Sequence, residues 1–302
     1  MKSANSKSFF RRHRNDFKCY LLLAIPIILF SIFFVYGFIR GFVFSLLNYD
    51  LRFVMLEGLQ FLGFQNYIDV FQDIDFMNGL LHTTIWTVVM LIGNNGFGLL
   101  MAVCLMKLDK GRKFFLAGLY WPALVSAAIT TQITLYVFNP TETGILNSFL
   151  AMFGIPPKDW LVNENTALLS LMIIPFFTGF CQKMIIYYAG LNSIPKTYYE
   201  AASLDTDSSI QIFSKITWPL LAPVIFLNVL LSLIDGMKVI APMQLITPHN
   251  NFTMSAIYAM YIEAFENTNF SYAFAEGFIM FVIIMVITIF QNRMQKETVV
   301  YE

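Results

Sequence analysis

Six apolar runs divide the chain, at about 19–39, 80–106, 114–138, 166–191, 216–247 and 273–291. Crossing the hydrocarbon of a bilayer takes about 20 helical residues at 1.5 Å each, and the first five runs reach that length. The sixth is marginal. Its uninterrupted part is Gly277 to Phe290, so it spans only if Glu276 lies at the interface or faces protein. A lipid-exposed backbone must bond to itself, and no ten-residue polar/apolar alternation points to a barrel, so helices are predicted. The predicted fold is an all-α membrane protein with six transmembrane helices. Residues 1–18 and 293–302 form polar tails and 19–292 a single membrane domain, with no internal repeat.

Composition agrees. Of 302 residues, 57% are hydrophobic and 13% charged, against about 25% charged in a soluble domain. The formal net charge is zero, which argues against nucleic acid as a partner. The distribution of charge is more telling. Fourteen of the 19 positive residues fall on one side: Lys2, Lys7, Arg11, Arg12, Arg14 and Lys18, then Lys107, Lys110, Arg112 and Lys113, then Lys196, Lys215, Arg293 and Lys296. The opposite loops carry Arg52 and Lys158, with Arg40 at a helix end, beside acids such as Asp69, Asp73, Glu142 and Asp159. The positive-inside rule puts both termini in the cytoplasm, which an even number of spans permits. The first run follows a basic stretch but lacks a small-x-small cleavage site, so it reads as a retained anchor.

Several residues interrupt the apolar runs. Asn94 and Asn95 sit near the middle of the second, where lipid offers amides no partner, so they must face protein or a watery cavity. Pro175 in the fourth run, and Pro219, Pro223 and Pro242 along the fifth, each remove a backbone bond and invite a kink. Trp86, Trp121 and Trp218 read as interfacial anchors, and His82 and His249 as outer-facing. Cys19, Cys104 and Cys181 show no CxxC pair or Cys/His cluster, so they are read as buried apolar thiols, and no metal site is expected.

Between the fourth and fifth runs lies a polar, patterned loop, about 191–217, on the basic side. Pro195 ends one helix, and Glu200-Ala201-Ala202 favours another whose small face allows close approach while Glu200 offers a carboxylate to a cationic partner. Asp207 with Ser208-Ser209 can cap a second short helix, and Phe213 and Ile216 can bury one face of it. Ala189-Gly190-Leu191, Ile194-Pro195, Glu200-Ala201-Ala202, Asp205, Phe213, Ile216 and Pro219 together resemble the EAA loop of bacterial ABC-importer permeases, most closely in their carbohydrate-uptake branch. The resemblance implies a type I ABC importer permease with a cytoplasmic coupling loop, in which Glu200, Ala201, Ala202, Asp205, Thr206, Phe213 and Pro219 transmit motion from a separate ATPase. One position departs from the pattern: Thr206 stands where a glycine is usual. If the turn needs a left-handed backbone there, a β-branched residue costs about 1–2 kcal/mol, unless Asp205 or Asp207 takes that conformation instead.

The spans flanking the loop line the path in that family. Gly179 and Ser232 fall where a maltose-type permease carries the same residue types at its sugar site, and Gln182, Asn228, Asp235 and Lys238 add polar groups suited to hydroxyls. Each also has a structural explanation. Asp235 and Lys238, three apart, can neutralise each other, and Asn228 can bond to a neighbouring helix.

What the resemblance implies is a sugar or oligosaccharide importer subunit in the bacterial cytoplasmic membrane. Its partners are a second, homologous permease, two ATPase subunits or domains and an extracytoplasmic solute-binding protein. No catalytic residue and no bound cofactor are expected; ATP and magnesium belong to the ATPase, since the chain has no GxxxxGK[ST] run. Two alternatives stay open. Lys183 and Lys238 would suit an anionic cargo such as glycerol-phosphate, a uronate oligomer or a sialylated sugar. An ion-coupled carrier would need inverted repeats or clustered intramembrane carboxylates, neither of which is seen.

Overall fold

The computed structural model describes residues 19–49 and 58–298. The basic tail 1–18, Arg52 and residues 299–302 lie outside the described residues. Among those described, the secondary structure is helical, with one isolated bridge between Leu47 and Phe61. Five helices are long and apolar enough to cross a membrane: Cys19–Ser45, Ile74–Met106, Ala167–Ser193, Ser209–Ile246 and Phe270–Gln295. Five of the six predicted spans therefore have a counterpart among these membrane-length stretches.

The third does not. Instead of one helix over 114–138, two arms, Arg112–Leu124 and Ala128–Val137, meet at 91° and make a sixth span only if counted together. The cause is local. Pro122 enters a short 3-10 turn, Val125 is extended, and the Ser126 hydroxyl accepts from the Ile129 N–H to start a new helix.

The chain divides into two compact units. In the first, α1 (Cys19–Ser45) shows no buried residue across its most apolar stretch. Its end is tied down by polar contacts. The Ser45 and Tyr67 hydroxyls lie 2.7 Å apart, Asn66 at the start of α2 (Gln65–Gln72) donates to the Ser45 carbonyl, and the Tyr49 N–H donates to Ser271.

The second unit is built around α3 (Ile74–Met106), capped by the Asp73 carboxylate on the Asp75 and Phe76 N–H groups. It continues through α4 (Arg112–Tyr120), α5 (Ala127–Val137), α6 (Ile145–Ala151) and α7 (Ala167–Ser193). Then come α8 (Lys196–Asp205), α9 (Ser209–Ile212), α10 (Trp218–Met237), α11 (Ala241–Ile246) and α12 (Ala256–Tyr261). The last helix, α13 (Phe270–Thr298), contributes residues to both units. A π-turn, Phe213–Thr217, joins α9 to α10, and a break at 238–240 separates α10 from α11. In contrast, α7 runs unbroken through Pro175.

Lipid tails are as apolar as side chains, so helices in a membrane associate through close packing and hydrogen bonds rather than through exclusion of water. The sequence supplies both. Gly98 on α3 lets α7 approach so closely that a Cβ there would lie 3.0 Å from the Met184 backbone nitrogen. Gly236 on α10 does the same against Thr87, at 2.7 Å from its hydroxyl. At the end of the bundle next to the 191–217 loop, Leu105, Met184, Tyr187, Leu191 and Leu221 form a shared apolar core.

Two expectations are corrected here. Trp86 is buried in α3 rather than anchored at an interface, whereas Trp121 and Trp218 are exposed. Of the cysteines only Cys181 is buried; Cys19 and Cys104 lie on outward faces of their helices. Glu276 on α13 is fully buried. That burial meets the condition for the sixth span, and Gln291 further along α13 donates to the Phe226 carbonyl of α10 at 2.8 Å.

Candidate functional site

The loop between α7 and α10 opens at Ile194, whose extended backbone (φ −73°, ψ 121°) is what a following proline requires. Pro195 then starts α8, where Glu200, Ala201 and Asp205 are exposed while Ala202 is buried. The helix is held from below, with the Thr217 hydroxyl donating to Tyr199 at 3.3 Å. Apolar side chains nevertheless point outward. Leu204 is 88% exposed and Ile210 80% exposed, with Tyr198 beside them on α8. Large apolar groups held open on a short polar loop mark a surface meant to be covered.

At the turn, Thr206 adopts φ −158° and ψ 141°, and neither Asp205 nor Asp207 has a positive φ. The left-handed turn expected from the missing glycine is absent. An extended backbone suits a β-branched residue, and the threonine is put to use: its hydroxyl donates to Gln211 Oε1 at 3.1 Å and accepts from the Ser208 N–H at 3.2 Å. Ser208 caps α9 by accepting from the Gln211 N–H, while Asp207 takes no part in the cap. Phe213 and Ile216 are half-buried, and Phe213 lies 6.2 Å from the Trp218 ring, next to the exposed Pro219. Behind α9 is an apolar cavity of about 680 Å³, lined by Leu99, Val103 and Met106 of α3 with Leu191, Tyr199 and Phe213.

A second cluster lies deeper in the membrane. The Asn95 amide donates to Ser232 Oγ at 2.9 Å and its carbonyl accepts from the Tyr187 hydroxyl at 2.8 Å, joining α3, α10 and α7. Ser232 also donates to the Asn228 carbonyl. Ser232 and Asn228 are both buried. Gly179 is covered by the Asn94 amide, and a Cβ there would collide with it. Gln182, Asp235 and Lys238 face outward.

The predicted Asp235–Lys238 pairing does not form. Asp235 instead pairs with Lys183 of α7 at 3.7 Å. A spacing of three along one helix permits contact but does not compel it, and α10 ends at Met237, with Lys238 leaving the helix. Sequence reasoning missed Tyr187 as a member of this cluster, and it weighed Lys183 as a site for anionic cargo rather than as the partner of Asp235. Their signal was present, since Phe180, Lys183, Met184, Tyr187 and Leu191 repeat at helical spacing on the buried face of α7. Among the described residues no group of three or more His, Cys, Asp or Glu side chains converges on a metal-sized site.

Comparison with known proteins adds a family. Residues 94–299 match the family described as "binding-protein-dependent transport system inner membrane component". The chain is 27% identical to the arabinooligosaccharides transport system permease protein AraP of Bacillus subtilis (strain 168), over 91% of this chain and 87% of that protein. It is 30% identical to the sn-glycerol-3-phosphate transport system permease protein UgpA of Agrobacterium fabrum, over 93% and 96%. Among solved structures, a chain of a bacterial ABC transporter involved in the import of the acidic polysaccharide alginate shares the fold, with a TM-score of 0.81 at 21% identity, over 96% of this chain and 99% of that one.

Proposed function

The chain belongs to the family of binding-protein-dependent transport system inner membrane components, and on that premise we propose that it is the membrane-spanning permease of an ATP-driven sugar or oligosaccharide importer. It is a transport subunit rather than an enzyme. The observation that carries the coupling role is the outward face of α8 and α9, where Glu200, Ala201, Leu204 and Ile210 stand uncovered on a loop braced against the base of α10. A separate ATPase grips this face, with Leu204 and Ile210 in an apolar groove and Glu200 opposite a cation. The chain has no phosphate-binding loop of its own, so the energy of ATP reaches it through that grip.

The brace gives the grip its effect. Displacement of α8 passes through Tyr199 and Thr217 to the π-turn and thence to α10, which carries Ser232 and Asp235. With a second, homologous permease the chain encloses a solute path near the bilayer middle, and rocking of the pair exposes it to either side. An extracytoplasmic binding protein delivers the solute. The basic tail and the loop at 107–113 support cytoplasmic termini. Sugar as cargo is supported by relatives named for arabinooligosaccharide and multiple-sugar transport.

Charge reversal at Glu200, as Glu200→Lys, tests the coupling role. It should abolish ATP-dependent solute uptake while leaving membrane insertion unchanged. Full uptake in that variant would remove the role.

A further inference from the structure

The Lys183–Asp235 pair is unequal. The lysine side chain is 8% exposed and the aspartate 72%, so the cation lies inside the helix bundle and the carboxylate on its surface. Geometry explains the arrangement. Helical side chains lean toward the N-terminus of their own helix, and α7 and α10 run in opposite directions on either side of the loop, so the two groups reach toward each other.

The pair is also deep. Asp235 stands one turn beyond Ser232, which bonds to Asn95, and Asn95 lies about 16 Å from the inner end of α3 at 1.5 Å per residue. That puts Asn95 near the middle of a hydrocarbon layer about 30 Å thick and Asp235 about 5 Å farther toward its outer side, still within it. Acyl chains reject an ionised carboxylate at such a depth, so the exposed side of Asp235 faces water or protein. Lys238 differs. It is exposed beyond the end of α10, nearer the outer surface, and its long stem can carry the ammonium to the headgroups.

We propose that Asp235, held in place by Lys183, is a solute-facing carboxylate that accepts hydrogen bonds from sugar hydroxyls and makes the path prefer neutral sugars to anionic ones. The proposal rests on the reading of this chain as a solute-conducting permease. An ionised carboxylate offers only acceptors, which suits the paired hydroxyl donors of a sugar and repels a carboxylate or phosphate on the solute. Lys183 is a positioning residue. It holds the carboxylate directed outward, and because it is buried behind Asp235 it presents no cationic hook of its own. Gln182, the neighbour of Lys183 on α7, is also exposed and can report on the local potential.

The test uses the assembled transporter in vesicles, with Cys19, Cys104 and Cys181 replaced and Gln182→Cys as the reporter. Its modification rates by a cationic and an anionic methanethiosulfonate reagent are compared, each normalised to a free thiol. The cationic reagent should be favoured, and Asp235→Asn should lower that preference on the order of ten- to a hundredfold, as expected for one charge-assisted contact. The exchange Lys183→Asp/Asp235→Lys should invert it. If Asp235→Asn fails to assemble, the neutral pair Lys183→Gln/Asp235→Asn gives the same readout. An unreactive reporter, or a rate ratio unchanged by Asp235→Asn, overturns the proposal. ATPase co-purification is followed on the same vesicles: its loss speaks against the permease reading, whereas an intact complex with an unchanged ratio overturns only the charge role.

Discussion

The Tyr187 hydroxyl donates to the Asn95 side-chain carbonyl at 2.8 Å, while the Asn95 amide donates to Ser232 at 2.9 Å. Three spans are thus held at one depth by a single asparagine. Within a membrane an interhelical bond of this kind contributes about 0.6–1.7 kcal/mol. Asn95→Leu removes both bonds and strips the buried Tyr187 hydroxyl of its acceptor, while Ser232 keeps its bond to the Asn228 carbonyl, so it should cost about 1–3 kcal/mol. Thermal unfolding of the solubilised complex should show a midpoint several degrees lower, with Tyr187→Phe lowering it less.

Gly98 and Gly236 should tolerate no enlargement. At either position a Cβ would meet a neighbouring helix at 3.0 Å or less, against backbone at Gly98 and a packed threonine at Gly236. Gly98→Leu forces α3 away from α7 and should destabilise by about 1–3 kcal/mol or more. Reduced accumulation in the membrane and a lower unfolding midpoint would report it; wild-type values for both would contradict the packing.

Thr206→Gly provides a sharper check of the turn. If the position needed a left-handed backbone, glycine would stabilise the loop. Because Thr206 is extended and both donates and accepts through its hydroxyl, glycine should instead loosen the loop by about 0.5–1 kcal/mol. Proteolysis of the loop in inside-out vesicles should quicken. Slower cleavage would show that the turn geometry is wrong.

Leu204→Asp and Ile210→Asp separate folding from coupling. Both side chains are exposed, so charge there should leave the subunit's own unfolding midpoint unchanged. ATPase binding should weaken on the order of tenfold or more for each, as an apolar contact is lost and a charge is left to desolvate in the groove. Co-purification of the ATPase measures it.

Much of this architecture was legible in the chain. Five spans follow from runs of apolar residues, because crossing hydrocarbon is a matter of length and of transfer free energy, both of which are properties of a segment. The loop helices follow from Pro195, Glu200-Ala201-Ala202 and Ser208, whose effects are also local. The bend between Leu124 and Ala128 escaped because hydropathy is blind to dihedral angles. Trp86 was misplaced because distance from the end of an apolar run does not fix a helix end: α3 begins at Ile74, twelve residues earlier. The pairing of Lys183 with Asp235 depends on the register of two helices more than 50 residues apart in sequence, which no local spacing encodes.

The central claim is that α8 is a cytoplasmic handle held by an ATPase, and it is tested most directly by cross-linking from Ala201. With a photo-cross-linker attached at Ala201→Cys in native membranes, irradiation should join the chain to an ATP-hydrolysing polypeptide. The same cysteine should react with an impermeant thiol reagent only in inverted vesicles. Capture of no such polypeptide, or labelling of Ala201→Cys from outside intact cells, would contradict the account.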